Sequence, residues 1–332
     1  MLLMGSKLKV YSDTIVYVIC PAGIKSGGPE LLHQFASLLQ NKIETYIYYV
    51  DITKPSYIIP EYEKYNCKSI RAFDNKNDNK HNILVIPETR TEYCFKFKKI
   101  QKAIWWLSVD NYSHQCELYN IVKKLDFYIN SFLLQDRIIL PFSDRRIVHL
   151  VQSRYAELYL RKNGIKKCWP LSDYINDEYK TDIIINKREK IVLYNPRKGW
   201  DFTQKIIKQS NHILYLPIKN MTNKQIIELM DRSKVYIDFG NHPGKDRLPR
   251  EAALRGLCII TGKRGAAGND KDIQIPNKYK FQDVENSITD IIKCINNCLD
   301  NYESCVNDFE DYRKLIWNEK TIFEQEVNRI FG

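Results

Sequence analysis

The sequence predicts an α/β protein with two parallel sheets, and three observations lead to that prediction. At 332 residues the chain exceeds what one core usually serves, so two domains of about 150 residues each are expected. Short apolar runs alternate with amphipathic helical segments, and the runs are hydrophobic at consecutive positions, as in strands buried on both faces of a parallel sheet. The alternation breaks once, at Lys167–Lys190, and then restarts.

The first half of the chain contains six strand-like runs. They are Thr14–Cys20, Thr45–Val50, Ile83–Pro87, Ala103–Val109, Phe127–Ser131 and Ile147–Ser153. Between the first two, the segment GPELLHQFASLLQ places four leucines and Phe35 on one helical face. Strand, helix and strand in this order form a βαβ unit. The polar tract Phe73–Asn82 is predicted to be a solvated loop.

The second half repeats the alternation after a mixed, charged segment that we expect to hold the interdomain link. Its predicted strands are Ile191–Asn195, His212–Pro217, Val235–Gly240 and Leu257–Thr261. Its predicted helices are Phe202–Ser210, Thr222–Ser233, Pro249–Gly256, Val284–Leu299 and Val306–Ile330. We therefore expect two Rossmann-like domains, 1–170 and 171–310, that face each other across a cleft, and a C-terminal helix, 311–332, that packs back on the first domain.

Composition and charge limit the classes of partner and the cellular location that we expect for the protein. Lys and Arg outnumber Asp and Glu by 51 to 40, a formal net charge of +11 that suits polyanions such as nucleic acid, anionic lipid or phosphorylated substrates. A codon-biased genome is the alternative explanation of the lysines. Nine scattered cysteines without zinc spacing indicate a reduced, cytosolic protein. No apolar run suits a signal peptide or a membrane span, so any membrane contact is expected to be peripheral.

Loops that follow the strands are where ligands bind in such sheets. Gly27 and Gly28 follow the first strand and allow close backbone approach, and the next helix begins there with its N–H groups open to an anion or polar ligand. The loop matches neither G-x-G-x-x-G nor a P-loop. Asp110, with Asn111, ends the run AIWWLSV and is a candidate general base or ligand for a hydroxyl-rich acceptor, with a helix cap or turn as the alternative.

Three basic loops follow strands of the second domain, and parallel strands place them at one edge of one sheet. The first suits a pyrophosphate, with a solvated basic turn as the alternative, the second combines phosphate-binding cations with an acid for ribose hydroxyls or for a helix cap, and the third is rich in glycine. Their candidate residues are, in turn, Asn195, Arg197 and Lys198; Lys245, Asp246, Arg247, Arg250 and Glu251; and Lys263 and Arg264. This convergence predicts a site for a nucleotide diphosphate.

The segments VLYNPRKGW and PREAALRGLCIITGKRG, and more weakly SGGPELLHQ, carry a resemblance. The chain resembles GT-B fold glycosyltransferases of bacterial surface-polysaccharide and lipopolysaccharide loci, in the style of glycosyltransferase families 1 and 4. The resemblance implies that Arg197 and Lys198 face the donor pyrophosphate, that Gly27 and Gly28 form the loop facing donor and acceptor, and that Glu251 is the second Glu of an E-x7-E pattern that holds the donor ribose.

The chain departs from that pattern at its first Glu, because Pro243 stands eight residues before Glu251. Retaining stereochemistry therefore does not carry over. The candidates to substitute for the missing acid are Asn241, His242, Lys245 and Asp246. No convincing D-x-D occurs, since the DKD at Asp270–Asp272 lies in a polar loop, so neither a catalytic metal nor a cofactor is expected beyond the nucleotide sugar as co-substrate.

The resulting expectation is a metal-independent glycosyltransferase, hexosyl or related. It would move a sugar from a nucleotide-diphosphate donor on the second domain to a glycan or lipid-linked acceptor on the first, in cell-surface polysaccharide assembly. Asp110 and His242 are the acid/base candidates. The location expected is cytoplasmic, with peripheral contact at the inner face of the plasma membrane left open. A catalytically inactive scaffold and a nucleic-acid-binding protein are the alternatives, although no nucleic-acid module occurs and no specific nucleic-acid partner is expected.

Overall fold

The computed structural model describes residues 7–53, 57–114, 144–183 and 187–332. It divides into two compact units, one of Met1–Asp173 with Ile322–Gly332 and one of Tyr174–Thr321. Two features of the sequence, the strand predicted at Phe127–Ser131 and the cysteine at position 116, lie outside the described residues.

The first unit contains a parallel sheet of seven described strands in the order β3-β2-β1-β4-β5-β6-β7. The strands are β1 (Ile15–Pro21), β2 (Glu44–Val50), β3 (Ser69–Ile70), β4 (Ile83–Pro87), β5 (Gln101–Trp106), β6 (Val148–Val151) and β7 (Trp169–Pro170). Every residue of β4 and all but the first of β1 are buried, as the continuous apolar runs predict. The two-residue strands β3 and β7 have no such run, and sequence patterns miss them.

The described segments between these strands contain helices and 3₁₀ turns. The helices are α1 (Gly27–Leu39), α2 (Pro60–Glu63), α3 (Tyr93–Lys96) and α4 (Arg154–Lys162), with 3₁₀ turns at Asn75–Asn77 and Glu88–Arg90. Helix α1 buries Leu31, Leu32 and Phe35 on its inner face. The phenyl ring of Phe35 lies edge-on to Trp105 of β5, with ring centroids 5.4 Å apart. The apolar face that predicted the helix therefore packs against the middle of the sheet.

The second unit contains a parallel sheet of four described strands in the order β11-β10-β8-β9. The strands are β8 (Ile191–Tyr194), β9 (Leu214–Pro217), β10 (Val235–Asp238) and β11 (Cys258–Thr261). Its helices are α5 (Trp200–Gln209), α6 (Asn223–Arg232), α7 (Arg247–Leu254), α8 (Ile288–Asp300) and α9 (Tyr302–Cys305). Turns of 3₁₀ helix occupy Asp177–Tyr179, Ala266–Gly268, Asn277–Tyr279, Glu285–Ser287 and Val306–Phe309.

The order of the second sheet locates its binding edge. The chain leaves β8 for β9 on one side and then returns to β10 on the other side of β8. The loops that follow β8 and β10 therefore diverge at their carboxyl ends and leave a crevice there, the position at which open α/β sheets bind ligands. The first sheet has the same kind of reversal between β1 and β4.

The C-terminal helix α10 (Glu310–Phe331) ends the chain. Its residues from Ile322 onward belong to the first unit, where the ring of Phe331 lies 5.3 Å from that of Phe35 and Glu326 accepts hydrogen bonds from Ser172. Among the helices described, none is long and apolar enough to cross a membrane. The predicted α/β fold with two parallel sheets and a C-terminal helix is confirmed.

Candidate functional site

The loops after β8, β10 and β11 pack backbone against backbone. Gly199 has a φ of +59°, and a Cβ atom there would lie 2.3 Å from the carbonyl oxygen of Phe239. Gly265 has a φ of +61°, and its Cβ would lie 2.2 Å from the carbonyl oxygen of His242. Glycine is needed at both positions for conformation and for space. The structure thus brings together the three basic loops whose convergence the sequence predicts.

Helix α5 opens onto this edge of the sheet. Its N-cap is Gly199, and no side chain caps its first turn, so its N–H groups are available to an anion. Arg197 and Trp200 are exposed on either side of the cap. Asn195 holds the loop in shape, because its side-chain oxygen accepts a hydrogen bond from the Arg197 N–H at 3.0 Å. Cationic side chains and an uncapped helix of three turns therefore meet here.

A buried histidine lies between two carboxylates next to this helix. The Nε2 atom of His242 is 3.4 Å from Asp238, and its Nδ1 atom is 3.3 Å from Asp246. Asp246 also binds the ammonium group of Lys198. Asp238 additionally accepts from the hydroxyl of Tyr236 at 2.9 Å. The five groups form one connected network that crosses from β10 and the loop after it to the loop after β8.

The charges of this network set its pKa values. Burial by itself would lower the pKa of His242, but Asp238 and then Asp246 outweigh that effect and the pKa is raised. Burial by itself would raise the pKa of Asp238, but His242 and Lys198 outweigh it and the pKa is lowered. The side chain of His242 has no exposed surface, so it does not reach substrate as the predicted acid/base would. We therefore drop it as an acid/base candidate.

Asp238, His242 and Asp246 are also, within the described ranges, a group whose ligand atoms lie close enough to hold a metal ion. The geometry does not fit one ion well, because the two carboxylates face opposite nitrogens of the ring. An ion bound by one nitrogen would leave the other carboxylate against the remaining nitrogen, and Lys198 already neutralises Asp246. The arrangement instead fits an imidazolium held by two carboxylates.

A second network of buried charges, around Arg250, holds the loop after β10 in place. Arg250 is fully buried and donates to the carbonyl oxygens of Lys245 at 2.8 Å and Asp246 at 3.1 Å, and to Glu319 of α10 at 2.8 Å. Glu319 also binds the ammonium group of Lys245 at 2.5 Å. The prediction that Arg250 neutralises phosphate needs correction, because its guanidinium is used inside the protein and is shielded from ligand.

The remaining predicted donor residues differ in exposure. Glu251 is almost fully buried, and its carboxylate accepts from Arg247 at 3.1 Å. Arg264 binds Asp283 at 2.6 Å and also donates to the carbonyl oxygen of Phe239. Asn241 is exposed. Lys263 is exposed too, and like Arg197 it makes no ion pair within 4 Å to any residue that the structure describes.

The first unit holds the other predicted residues. Gly27 and Gly28 begin α1, and the preceding loop is fixed by Tyr62, whose hydroxyl accepts from the Ser26 N–H and donates to the Ser26 carbonyl, each at 2.9 Å. Asp110 does not end a strand as predicted. Residues 109–114 are helical, and Asp110 accepts a hydrogen bond from Tyr155 at 2.8 Å.

One acidic residue at the edge of the first sheet escaped the sequence interpretation. Glu88 directly follows β4, is buried, and accepts a hydrogen bond from the Leu107 N–H at 3.0 Å. Burial raises its pKa to about 7, although backbone N–H donors oppose the shift. The sequence feature that could have identified Glu88 is its position directly after the apolar run ILVIP, at the carboxyl end of a predicted strand.

Known proteins share this fold. HepE of Anabaena, solved with UDP-glucose, matches 95% of this chain and 98% of its own, with a TM-score of 0.61 and 12% identity. WaaG, a glycosyltransferase of lipopolysaccharide biosynthesis, matches with a TM-score of 0.60 and 11% identity over 96% of this chain and all of its own. Sucrose-phosphate synthase of Thermosynechococcus elongatus matches with a TM-score of 0.58 and 11% identity over 96% and 95%.

Comparison by sequence finds no relatives of this kind. No protein-family model matches it, and no curated protein does. At 11–12% identity the likeness to the solved enzymes shows the fold alone. That fold is the GT-B fold of glycosyltransferases, with two α/β units and parallel sheets.

Proposed function

We propose that the protein is a glycosyltransferase that uses a nucleotide-diphosphate sugar. One observation carries the proposal: three glycine-containing loops pack together at the carboxyl edge of the second sheet, around the uncapped N-terminus of α5 and a group of cations. Such an edge suits a diphosphate, because helix N–H groups and cations both favour its negative charge. HepE, which shares the fold, was solved with UDP-glucose bound.

The donor is proposed to bind the second unit. Arg197 and Lys263 are exposed and carry no ion pair in the described structure, so they contact the diphosphate directly, with Lys198 beside them. Glu251 accepts from the ribose hydroxyls. The other donor-site residues of the proposal shape or line the pocket, and they are Asn195, Asn241, Lys245, Asp246, Arg247 and Arg264.

The proposed chemistry is departure of the nucleoside diphosphate as an acceptor hydroxyl attacks the sugar. Fixed N–H groups of α5 and the cations stabilise the charge that grows on the diphosphate oxygens. This solution requires no metal ion. In the first unit, Gly27 and Gly28 admit substrate close to the backbone, and Asp110 accepts the proton of the acceptor hydroxyl.

The acceptor is proposed to be a glycan or a lipid-linked glycan of cell-surface polysaccharide assembly. WaaG, which shares the fold, acts in lipopolysaccharide biosynthesis. A cytoplasmic location with peripheral contact at the membrane suits such an acceptor. The excess of 11 positive charges would assist approach to an anionic membrane surface as well as to the donor.

The test is turnover with a panel of UDP-, GDP-, CMP- and dTDP-sugars, followed by release of the nucleotide with and without glycan acceptors. We expect one donor to be hydrolysed slowly and transferred faster, and Arg197→Ala and Glu251→Ala each to lower kcat/KM by about tenfold or more. Lys208→Ala is the control, because Lys208 is an exposed cation at the far end of α5. Equal activity in all variants would refute the site.

Calorimetric titration separates an inactive scaffold from an enzyme. A scaffold without a donor site binds none of UDP, GDP or CMP, whereas the proposed enzyme binds at least one. A nucleic-acid-binding protein would instead bind random oligonucleotides with an affinity that falls steeply as salt rises.

A further inference from the structure

The network around His242 connects a residue without exposed surface to a cation of the proposed donor site. His242 lies between Asp238 and Asp246, and Asp246 binds Lys198. Lys198, whose side chain is about one-third exposed, lies in the loop after β8. His242 is therefore two contacts away from the surface on which the diphosphate is proposed to bind.

We propose that His242 is a positioning residue, a buried imidazolium that holds the Asp238 and Asp246 carboxylates together and through Asp246 fixes the place of Lys198. This inference rests on the proposed function. Without the imidazolium, the buried Asp238 carboxylate and the partly buried Asp246 carboxylate would face the ring with only Lys198 to offset them. Such an arrangement repels, and removing one partner of a buried charge network is costly.

The surrounding backbone makes the network stiff. The His242 carbonyl lies against Gly265 so closely that no larger residue fits there, and it accepts the Ala266 N–H at 2.8 Å. A Cβ atom on Gly240 would lie 2.5 Å from the Cβ of Lys198. The loop that carries His242 is therefore packed directly against both the third loop and Lys198.

The charged and titratable groups that face the imidazole come from four segments. They are Lys198 after β8, Asp238 of β10, whose carboxylate also accepts from Tyr236, Asp246 before α7, and Asp283 after the third loop. Of the carboxylates, Asp238 and Asp246 contact the ring, whereas Asp283 is tied to Arg264. The net charge around the ring is negative, which favours its protonated form.

A double-mutant cycle tests the proposed path through Lys198. In the wild-type background, His242→Gln should weaken binding of the UDP, GDP or CDP that binds best by about tenfold. In the Lys198→Ala background the same change should cost less than about twofold, because the cation that His242 positions is already gone. Equal losses in the two backgrounds would overturn the proposal and leave His242 a purely structural residue.

The charge of the ring is tested without any nucleotide. Imidazole ¹⁵N NMR of histidine-labelled wild-type protein, assigned against His242→Gln, should show that His242 loses its proton at a higher pH than His33 and His149 do. A neutral ring at pH 6 would overturn the proposal. An increase in the melting temperature on addition of Zn²⁺ or Mn²⁺ that His242→Gln abolishes would also overturn the proposal, because the site would then hold an ion.

The outcomes also separate this inference from the proposed function. If no nucleotide binds the wild-type protein, the donor site fails, and with it the role of His242 in positioning Lys198 for a donor. If nucleotide binds and Arg197→Ala weakens it, but His242→Gln does not, the function stands and the role of His242 is wrong.

Discussion

The two units bury their histidines in opposite surroundings. In the first unit, His33 donates to the Pro29 carbonyl and accepts from the Tyr49 hydroxyl, each at 2.7 Å, and His149 accepts from the Trp106 indole at 3.0 Å. Burial lowers the pKa of both, to about 4 for His149, so both are neutral. In the second unit, carboxylates hold the pKa of His242 up despite burial.

The difference fits the ligands proposed for the two units. The first unit holds the backbone of Ser26, in its glycine loop, through the uncharged Tyr62 hydroxyl, and the ion pair beside it, Lys25 with Glu61, is about half exposed, which suits a ligand rich in hydroxyls. The second unit fixes its loops with ion networks and leaves cations at the rim, which suits an anion. Four predictions test this contrast.

The largest effect is expected where a buried ion pair is broken. Arg250→Met removes a fully buried cation from Glu319 and should lower the free energy of unfolding of the second unit by about 3 kcal/mol or more. In the first unit Arg161 also pairs with a buried acid, Glu157, but is 41% exposed, so Arg161→Met should cost less than about 1 kcal/mol. Urea unfolding measures both, and equal costs would contradict the contrast.

A pair of glycines gives the next largest effect. Gly23 and Gly199 both have positive φ, but a Cβ atom on Gly23 meets nothing within 4 Å, whereas one on Gly199 meets the Phe239 carbonyl at 2.3 Å. Gly23→Ala should cost about 1 kcal/mol in backbone strain alone, and Gly199→Ala about 2 kcal/mol more because the loops must separate. Gly199→Ala should also abolish nucleotide binding. If both changes cost the same, the three loops are not packed as described.

These loops also show how far the sequence could lead. The apolar runs predicted most strands, and the glycines and cations after β8, β10 and β11 predicted that the three loops converge. Nothing in the sequence near Arg250 or His242 predicted that their charges are used inside the protein. The partner of Arg250, Glu319, is 69 residues away in the sequence, and the burial of His242 arises only when the chain folds. Sequence shows which residues carry charge, whereas burial decides which charges remain for a ligand.

The predicted end of β5 was wrong for a similar reason. The run AIWWLSV continues the apolar pattern to Val109, but the strand stops at Trp106 and Val109 is buried as the first residue of a helical turn. A run of apolar residues cannot distinguish a buried strand from the buried start of a helix. Asp110 was therefore placed correctly near the edge of the sheet but on the wrong element.

The third prediction concerns pH. The folded pKa of His149, about 4, lies below its unfolded value, so the neutral ring stabilises the fold above about pH 6.5 and the stabilisation is lost as pH falls toward 4. By pH 5 the loss should reach about 2 kcal/mol. The contribution of His242 to stability depends on pH in the opposite direction. It is present below about pH 6.5 and is lost as pH rises through the raised pKa of His242.

Unfolding curves between pH 5 and pH 9 measure this prediction. His149→Asn should reduce the acid-side loss of stability, to which His33 also contributes, and His242→Gln should reduce the alkaline-side loss. If His149→Asn left the acid-side slope unchanged, the neutral state of His149 would not be the cause.

The smallest effect is expected at the glycine loop of the first unit. Tyr62→Phe removes the hydroxyl that bonds to both backbone groups of Ser26 and should cost about 1 kcal/mol of stability. It should raise the KM for the acceptor without changing the Kd for the donor nucleotide. A change in donor Kd with no change in acceptor KM would reverse the assignment of the two units.

The central claim is that the cations at the carboxyl edge of the second sheet bind a nucleoside diphosphate. Calorimetric titration of UDP, GDP and CDP into the wild-type protein, the Arg197→Ala/Lys263→Ala double variant and the Lys208→Ala control tests it most directly. We predict one site per chain for at least one nucleotide, with affinity lowered by about a hundredfold in the double variant and unchanged in the control. Binding that is equal in all three proteins, or absent from the wild type, would contradict the claim.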